Sequence, residues 1–489
     1  MSNIFSDRKR GFILVFVLIA ALLVTSVSCN LLNFIIGDDE PDEPVIEEPV
    51  VEEPVVEEPV VNEEIEEPVQ QEEPAQEEVQ EPVQEQPATN LSGDELYLVE
   101  GKQGTVVTEY YTYGVFVVGN PRNDCMYDYV QYDYVAYDAA GTELYSETGG
   151  YLETALPGAQ VVEIIYFPDE AKDAANFDVV LSPGECTAAP ASASTLTISN
   201  PMYYADEFSP IATAILNNSL DEIQTDVYVG AVAYDASGAI VGVGTSYVAQ
   251  VWSNDYTGVE VYLNLTENTV VDSIEFLPTH SYFSEVGRDN SYFNTVYFGE
   301  DLPWVQIEDS YETVFYLIND NTSQAATDIE YRMTIVDEND NVLSVESGWV
   351  DFILPGDVTP VYISAYLPEG TQAYTHFVEL TPGEFEDSPF ASNPFTTSNW
   401  AIDESGWSPV VSFDLANGSD KAVTGLEMIV VLYDADDNFI GGGYATSEIL
   451  SANGTAYQEV YVNVAGEAAT VDVYPVVDYW TEIEGWGDN

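Results

Sequence analysis

The chain has 489 residues, of which 87 are aspartate or glutamate and nine are lysine or arginine, and its formal net charge is −78 at pH 7. Binding to a nucleic-acid backbone or to an anionic lipid surface needs clustered basic side chains, so this composition excludes both as expected partners of the folded part. The length corresponds to three to five domains. Abundant tyrosine, with frequent glycine and proline, favours strands and turns over helices.

The amino-terminal segment has the three parts of an export signal. A basic triplet at 8–10 precedes an apolar run at 12–27, and Cys29 follows. The run is 16 residues long, which is short for a membrane-spanning helix. The segment resembles a bacterial lipoprotein signal, in which Cys29 is the lipid-modified residue, although Ser26 stands where such signals usually have leucine.

Two other interpretations of this segment stay open: an uncleaved helical anchor from 12 to about 36, and ordinary cleavage after Ser28. All three interpretations place the rest of the chain outside the cytoplasm. The lipid on Cys29 or the uncleaved helix would also anchor it at the cell surface. The cysteine count agrees with export. If Cys29 carries lipid, Cys125 and Cys186 are left as an even pair, and an oxidising compartment favours a disulfide between them. Two separate buried thiols are the alternative.

Residues 30–90 are predicted to form a disordered stalk. Residues 38–90 repeat units such as EEPVV and contain no basic residue. Proline fixes φ and removes a backbone donor, and like charges repel, so neither helix nor sheet propagates and the chain stays extended. We expect the stalk to hold the folded part away from the membrane. An acidic docking or cation-binding tract is the alternative.

The rest of the chain repeats four times. The segments VAYDAAG, VAYDASG, TIVDEND and VLYDADD place aspartates at 138, 235, 337 and 434, at spacings of 97, 102 and 97 residues. An asparagine precedes each aspartate at a nearly constant distance, at 120, 217, 319 and 417. Agreement at several offsets indicates tandem homologous domains. We predict these domains at 91–187, 195–282, 291–384 and 393–489, after a signal or anchor at 1–29.

Apolar and polar residues alternate in each unit, which predicts strands. Two segments show the pattern clearly, and their predicted inward-facing residues are Ile329, Tyr331, Met333 and Ile335 in the third unit and Leu426, Met428, Val430 and Leu432 in the fourth. About seven short strands in roughly 100 residues are typical of an immunoglobulin-like β-sandwich. The predicted fold class is therefore all-β, with four tandem immunoglobulin-like β-sandwich domains after an N-terminal signal or anchor helix and a disordered acidic, proline-rich stalk.

The repeated unit resembles the FxLYD-type domain, a small sandwich module of exported bacterial lipoproteins. The resemblance is carried by an apolar strand that ends in Tyr-Asp, by the hairpin after it and by a later Pro-Gly turn. The Tyr-Asp pairs are Tyr137-Asp138, Tyr234-Asp235 and Tyr433-Asp434, and the third unit departs with Val336-Asp337. The resemblance covers nearly all of 95–489. It implies an extracytoplasmic binding or spacer module and supplies no catalytic residues.

The aspartate-rich turns have two interpretations. Where the first two units have Gly141 and Gly238, the others have aspartate, and both residue types tolerate the left-handed backbone of a hairpin turn. A β-hairpin therefore accounts for all four units. Calcium binding is the alternative, with Asp337, Asp340, Asp434, Asp436 and Asp437 as candidate ligands. An EF-hand is excluded for the turns that begin at Asp337 and Asp434, because neither has glycine at its sixth position or glutamate at its twelfth.

Other signs of chemistry are weak. His280 and His376 lack the spacing of metal ligands, and the sequence has no nucleophile-elbow or phosphate-loop motif. We therefore expect no enzyme activity and no cofactor apart from the calcium alternative. Trp304 and Trp400 occupy matching places, which predicts packing in a core or between domains. Trp480 and Trp486, near the end of the chain, are candidates for stacking on sugars.

These observations predict a non-enzymatic cell-surface lipoprotein, held at the membrane by an N-terminal lipid or helix. Its tandem domains are expected to bind a protein, a glycan or an envelope partner, and no nucleic acid. The alternative is an extracytoplasmic lipoprotein that binds a small ligand in a pocket between domains, or that assists an enzyme.

Overall fold

The structure, a computed structural model, describes residues 95–182, 184–189, 196–205, 210–281, 302–381, 383–404, 408–478 and 480–486, and the backbone of 296–298. The predicted signal or anchor helix, Cys29 and the stalk lie outside the described residues. The described residues form 32 strands and one turn of 3-10 helix at Asp169–Ala171. In these ranges there is no helix of the length and apolarity needed to cross a membrane.

The strands fall into four consecutive groups, which we number as domains 1 to 4. Domain 1 contains β1 (Tyr97–Val107), β2 (Thr112–Gly119), β3 (Cys125–Tyr127), β4 (Gln131–Tyr137), β5 (Glu143–Tyr151), β6 (Gln160–Tyr166), β7 (Asn176–Ser182) and β8 (Cys186–Ala188). Domain 2 contains β9 (Leu196–Tyr204), β10 (Ile211–Asn218), β11 (Gln224–Tyr234), β12 (Ile240–Val251), β13 (Asp255–Tyr262), β14 (Asn264–Leu265) and β15 (Ser273–His280).

The second half of the described chain has the same organisation. Domain 3 contains β16 (Val296–Phe298), β17 (Trp304–Ile307), β18 (Ser310–Asn319), β19 (Ala325–Val336), β20 (Val342–Ile353), β21 (Val358–Tyr366), β22 (Thr375–Leu380) and β23 (Glu384–Glu386). Domain 4 contains β24 (Phe395–Asp403), β25 (Val410–Asn417), β26 (Val423–Thr424), β27 (Glu427–Tyr433), β28 (Phe439–Thr446), β29 (Thr455–Tyr461), β30 (Asn463–Val464), β31 (Thr470–Val476) and β32 (Glu482–Ile483).

Each domain is a sandwich of two antiparallel sheets. What we call the first sheet is built around β2, β10, β18 and β25 in domains 1 to 4, and the second sheet around β4, β11, β19 and β27. In domain 4, for example, the first sheet has the order β24-β25-β29 and the second the order β30-β28-β27-β31. The prediction of an all-β chain with four tandem immunoglobulin-like sandwiches is confirmed.

The core of each sandwich lies between its two sheets and is built from the alternating apolar residues. In domain 3 the core includes Ile329, Met333 and Ile335, with Tyr331 packed against it. In domain 4 it includes all of the predicted inward-facing residues, which are Leu426, Met428, Val430 and Leu432. Strand alternation thus identified the buried faces correctly, because each of these sheets buries one face in its own core.

A buried asparagine ends the central strand of the first sheet in domains 2, 3 and 4, and directly follows that strand in domain 1. These residues are Asn120, Asn218, Asn319 and Asn417. The assignment of Asn217 to this position was wrong by one residue, since Asn218 is the buried one and Asn217 is half-buried. Spacing along the chain does not separate two adjacent asparagines, whereas the inward orientation of every second strand residue does.

The four domains pack in series through the outer faces of their sheets. The outer face of each first sheet, for domains 1 to 3, contacts the outer face of the next domain's second sheet. Apolar clusters mark the three junctions. They contain Val115, Val117, Val162, Val232 and Val243 between domains 1 and 2, Ile215, Val336 and Val342 between domains 2 and 3, and Val314, Ile429, Val431 and Val476 between domains 3 and 4.

Glycine permits close approach at two of these junctions. A Cβ on Gly230 would lie 2.0 Å from Cγ1 of Val162 in domain 1, and a Cβ on Gly258 would lie 2.4 Å from Cγ2 of Thr334 in domain 3. The backbone amide of Gly258 donates to the Thr334 hydroxyl at 2.9 Å, and its carbonyl accepts from Nε of Arg332 at 2.9 Å. The second junction therefore combines apolar packing with hydrogen bonds that fix its register.

Candidate functional site

The four repeated aspartates close β-hairpins. In domain 1, Oδ1 of Asp138 accepts hydrogen bonds from the amides of Ala140 and Thr142, both at 2.8 Å. The amides two and four residues after Asp235, Asp337 and Asp434 make the same contacts, at 2.8–2.9 Å. Hydrogen bonds lower the pKa of all three of Asp138, Asp235 and Asp434. The largest cause is the backbone amide of Thr142 for Asp138, the hydroxyl of Ser237 for Asp235 and the side-chain amide of Asn438 for Asp434.

The turn position that alternates between glycine and aspartate has a left-handed backbone in all four hairpins. Its φ is 78° at Gly141, 82° at Gly238 and 61° at both Asp340 and Asp437. The residue types at this position therefore follow from the backbone conformation of the turn. The hairpin interpretation accounts for the opening aspartate and for this later position without any ligand.

The candidate calcium ligands are not brought together as a coordination shell. Oδ2 of Asp337 and of Asp434 each accept from a nearby asparagine amide, at 2.9 Å in both hairpins. The carbonyl of Asp340 accepts from Nδ2 of Asn200 in domain 2, at 2.9 Å, so the third hairpin takes part in a domain junction. Across the described ranges no group of three or more His, Cys, Asp or Glu side chains is placed to hold a metal. Calcium binding at Asp436, Asp437 and the other candidates therefore rests on sequence alone.

Cys125 and Cys186 form a disulfide with a Cα–Cα distance of 5.6 Å. The bond joins β3 to β8, which pair as a two-stranded ribbon beside the domain 1 sandwich. The two cysteines are 61 residues apart in sequence, so the bond closes a long loop around most of the domain. Cys29 lies outside the described residues.

Both histidines are buried and have structural contacts. Nδ1 of His280 lies 3.3 Å from the carbonyl of Thr225, and Nδ1 of His376 lies 2.7 Å from the hydroxyl of Tyr311. Burial lowers the pKa of both imidazoles, that of His376 to about 4. His376 is thus a buried, neutral imidazole that contacts the hydroxyl of Tyr311 inside domain 3.

The tryptophans differ from one another. Trp304 stacks on Tyr311 at a centroid distance of 5.1 Å, as its predicted packing role requires. Trp400 is 47% exposed, so core packing is wrong for this residue. It lies in a bulge of β24, where Asn399 has a φ of 56°. Trp486 packs edge-to-face on Phe352 of domain 3 at 5.4 Å, whereas Trp480 is exposed.

The outer face of the first sheet of domain 4, at the end of the series, is covered by none of the other described segments. The contrast with the earlier domains appears at two outward positions, five and three residues before the buried asparagine. Domains 1 to 3 have Val115, Thr213 and Val314 at the first position and Val117, Ile215 and Tyr316 at the second. Domain 4 has Ser412 and Asp414, both half-buried. In the other domains Val115, Val117, Ile215 and Val314 pack in the apolar junctions, and the hydroxyl of Thr213 donates to the carbonyl of Val342 in the next domain at 2.7 Å. Domain 4 has no such apolar residues at these two positions.

Aromatic side chains stand on this same face, which we call the terminal face. Tyr457 is cross-strand neighbour to Asp414, and Tyr461 is cross-strand neighbour to Val410. The tyrosines are 63% and 71% exposed. Two residues four apart on one strand lie about 13 Å apart. Between them the carboxylate of Glu459 accepts from the Tyr457 hydroxyl at 3.0 Å.

Hydrogen-bonding groups surround these rings. Nδ2 of Asn399 donates to Oδ2 of Asp414 at 2.8 Å, and Ser412 is paired with Glu459 across the sheet. The terminal face therefore offers exposed rings beside carboxylate and hydroxyl groups, with no lysine, arginine or histidine in β24, β25 or β29. Such a surface can stack on apolar faces and hydrogen-bond to hydroxyl groups of the same ligand.

A cleft between domains 3 and 4 is a second candidate. Its volume is about 390 Å³, and it is lined by β20 and β21 on one side and by the second sheet of domain 4 on the other. A volume of this size is in the range of small-molecule sites. Sequence analysis did not assign any residue to such a cleft, because its lining comes from two domains and shares no motif.

No family model matches the chain, and no curated protein matches its sequence. Among solved structures, it aligns with the native conformation of E. coli alpha-2-macroglobulin at 10% identity and a TM-score of 0.13, covering 77% of this chain and 28% of that chain. A point mutant of Salmonella alpha-2-macroglobulin aligns at 12% identity and a TM-score of 0.11, with the same coverage of 77% and 28%. The chain thus spans less than a third of the length of these proteins.

Proposed function

We propose that this protein is a non-enzymatic binding protein of the cell surface, and that its terminal face binds a neutral glycan. In this proposal Cys29 carries lipid, or the N-terminal helix stays in the membrane, and the stalk separates the membrane from the domains. The observation that carries the proposal is the exposed pair Tyr457 and Tyr461 on the one first-sheet face that no described domain covers.

The chemistry of the terminal face favours a glycan over an apolar protein surface. A sugar ring presents a C–H face that can lie on an aromatic ring, and its hydroxyls can donate to Asp414 and Glu459. An apolar partner would desolvate these two carboxylates and leave each with one donor, Asn399 for Asp414 and Tyr457 for Glu459, which is costly for a charged group. The net charge of −78 repels acidic polysaccharides, so a neutral glycan is the expected partner.

Retention on immobilised neutral polysaccharides tests the proposal. The full chain, in non-ionic detergent, is applied to cellulose, chitin and mannan, and the variant Tyr457→Ala/Tyr461→Ala is applied in parallel. Tyr110→Ala/Tyr374→Ala is the matched control, because these tyrosines are equally exposed but lie in domains 1 and 3. We expect one of the polysaccharides to retain the native chain and the control, and to release the terminal-face variant.

Two results would overturn the proposal. The first is that the native chain is retained on none of the neutral polysaccharides. The second is that the control variant loses retention as fully as the terminal-face variant, because binding would then be a general property of exposed tyrosines.

A further inference from the structure

The cleft between domains 3 and 4 has exposed aromatic side chains in its walls. Trp349 of β20 contributes from domain 3, and Tyr444 of β28 contributes from domain 4. Both are largely exposed although they lie at a domain junction. Tyr331 and Tyr362 complete the aromatic lining. Since apolar packing closes the neighbouring part of the same junction, these rings mark a place where the two domains do not close on each other.

Carboxyl groups are the only ionisable side chains in the lining apart from the tyrosines. They are Glu346, Asp351, Glu427 and Asp478, and no lysine, arginine or histidine lines the cleft. Glu427 lies on the outer face of domain 4, two residues from Ile429, which is the cross-strand neighbour of Tyr444. Tyr331, Glu346 and Glu427 line the same cleft, and burial, followed by the charges of these two carboxylates, raises the pKa of the Tyr331 hydroxyl to about 12.

Glu312, at the same junction, is a carboxylate with a structural role, and its hydrogen bonds serve as a comparison for Glu427 and Glu346. Glu312 is fully buried, and it accepts hydrogen bonds from Ser310, Tyr362, Ser364 and Asn463. The carboxylate of Glu427 has no hydrogen bond or ion pair within the described residues, and that of Glu346 has a single contact, from the Ser344 hydroxyl at 3.5 Å. The carboxylates of Glu346 and Glu427 therefore keep free acceptor capacity toward the open volume beside the aromatic rings, where a donor or a cation can reach them.

We propose that this cleft binds a small organic ammonium ion, held between the side chains of Trp349 and Tyr444 and neutralised by Glu346 and Glu427. Aromatic rings attract an ammonium group through their quadrupole, and the attraction is largest where water is excluded. The carboxylates supply the opposite charge. This site is separate from the terminal face and does not depend on the glycan proposal.

Other ligand classes fit the cleft less well. The described residues hold no cluster of three or more metal-ligating side chains, so a bare metal ion has no coordination shell here. A neutral ligand can donate hydrogen bonds to the four carboxyl groups, but it leaves their charge uncompensated in a cleft where burial raises the pKa of Glu346 and of Glu427. An anion would be repelled by all four. An organic cation satisfies the rings and the carboxylates together.

The protonation of the two glutamates supplies an independent readout. The pKa of Glu346 and of Glu427 is raised to about 7, mainly by burial and in part by the neighbouring carboxylates of Glu260 and Asp478 respectively. The other titratable groups facing them are Asp351 and the hydroxyls of Tyr262, Tyr331 and Tyr444. A cation competes with protons for these carboxylates, so its affinity rises between pH 6 and pH 8 as they ionise.

Calorimetric titration of the full chain with matched probes tests this inference. Choline and putrescine serve as quaternary and primary ammonium probes, and 3,3-dimethylbutan-1-ol serves as the uncharged isostere of choline, all at constant ionic strength. We expect at least one of the two ammonium probes to bind, with an affinity that increases with pH. If choline binds, its uncharged isostere should bind at least about tenfold more weakly.

Variants connect binding to the cleft. Glu427→Gln and Trp349→Ala should each weaken binding at least about tenfold, whereas the control Glu459→Gln on the terminal face should leave it unchanged. Glu427→Gln removes a desolvated charge, so we expect it to unfold at the same or a higher temperature, and its loss of binding cannot then be a loss of folding. Absence of binding by both ammonium probes overturns the proposal. So does equal affinity for choline and its isostere, or equal weakening by Glu459→Gln.

Discussion

Asn218 and Val251 end strands in opposite sheets of domain 2, and Nδ2 of Asn218 donates to the carbonyl of Val251 at 3.2 Å. Asn319 makes the corresponding bond to the carbonyl of Ile353 in domain 3, at 3.0 Å. In each domain the asparagine Oδ1 also accepts from the amide two residues later, as in the pair of Asn218 and Leu220 at 3.1 Å. The asparagine side chain thus accepts from a backbone amide in the turn that follows its own strand. It also links the first sheet to the second through its donated hydrogen bond.

Replacing Asn218 with alanine should lower the free energy of unfolding by about 2–3 kcal/mol. The carbonyls of Glu222, Val251 and Trp252 accept from Asn218 and would lose that donor. Asn217→Ala is the matched control, because Asn217 lies on the opposite face of the same strand and is half-buried. Urea unfolding of the full chain measures both. Equal losses in the two variants would show that burial of Asn218 has no special role.

The stability of domain 1 should fall as the pH rises from about 4.5 to about 8. Burial raises the pKa of Glu163 from its ordinary value of 4.5 to about 8, although the Tyr132 hydroxyl, which donates to Glu163 at 2.9 Å, opposes the shift. Within this window the folded domain keeps the proton and the unfolded chain releases it. The contribution of Glu163 is therefore fully present below pH 4.5 and is lost by about 1.4 kcal/mol per pH unit up to pH 8.

Thermal unfolding of the full chain between pH 5 and pH 8 measures this effect. Glu163→Gln should flatten the pH dependence, because glutamine cannot titrate. Glu459→Gln, at an exposed position, should leave the dependence as it is in the native chain. A midpoint in Glu163→Gln that still falls with pH as steeply as in the native chain would contradict the assignment.

The repeated aspartates should stabilise their hairpins in the absence of calcium. Asp235→Ala is expected to cost about 1 kcal/mol, since the amides of Ser237 and Ala239 lose their acceptor. Asp235→Asn keeps a side-chain oxygen and should cost less than half as much. Asp434→Ala should behave like Asp235→Ala, although its turn is richer in carboxylates.

Calcium should give no specific stabilisation of these hairpins. Unfolding midpoints measured with calcium and with magnesium at equal ionic strength are expected to agree. A rise with calcium alone that disappears in Asp434→Ala would instead establish Asp434, Asp436 and Asp437 as ligands.

Gly230→Ala should weaken the junction between domains 1 and 2 by about 1–3 kcal/mol, because the new Cβ would lie 2.0 Å from Cγ1 of Val162. Gly466→Ala is the control, since a Cβ there meets no atom within 4 Å. Calorimetric unfolding of the full chain compares the two. We expect the Gly230 variant alone to show a lower midpoint, and an unchanged midpoint would mean that the two domains are not packed as described.

Strand alternation and internal repetition were sufficient to predict the sandwich fold, because each sheet buries one face in its own core. They did not predict the serial packing, although a signal was present. The outward residues Val115 and Val117 of domain 1 are apolar, and their equivalents Ser412 and Asp414 of domain 4 are polar. An apolar residue on the outward face of a strand indicates that this face is buried as well. In a search for alternating apolar and polar residues it counts only as a break in the pattern.

The candidate sites were harder to predict from sequence. In sequence Tyr457 and Tyr461 resemble ordinary strand residues, and only the structure shows that no other described segment covers the outer face of their sheet. The cleft joins Glu346 to Glu427 across a domain junction, and neither residue stands out among 87 acidic residues. The aspartate-rich turns were easy to recognise in the sequence, because a hairpin turn with a left-handed backbone position favours glycine, asparagine and aspartate.

The most direct test of the proposed function is hydrogen exchange of the full chain with and without the polysaccharide that retains it. The proposal predicts that amides in β25 and β29, at 410–417 and 455–461, exchange more slowly in the complex, while those of β20 and β21 are unchanged. Protection confined to another domain, or no protection in β25 and β29, would contradict the claim that the terminal face is the binding surface.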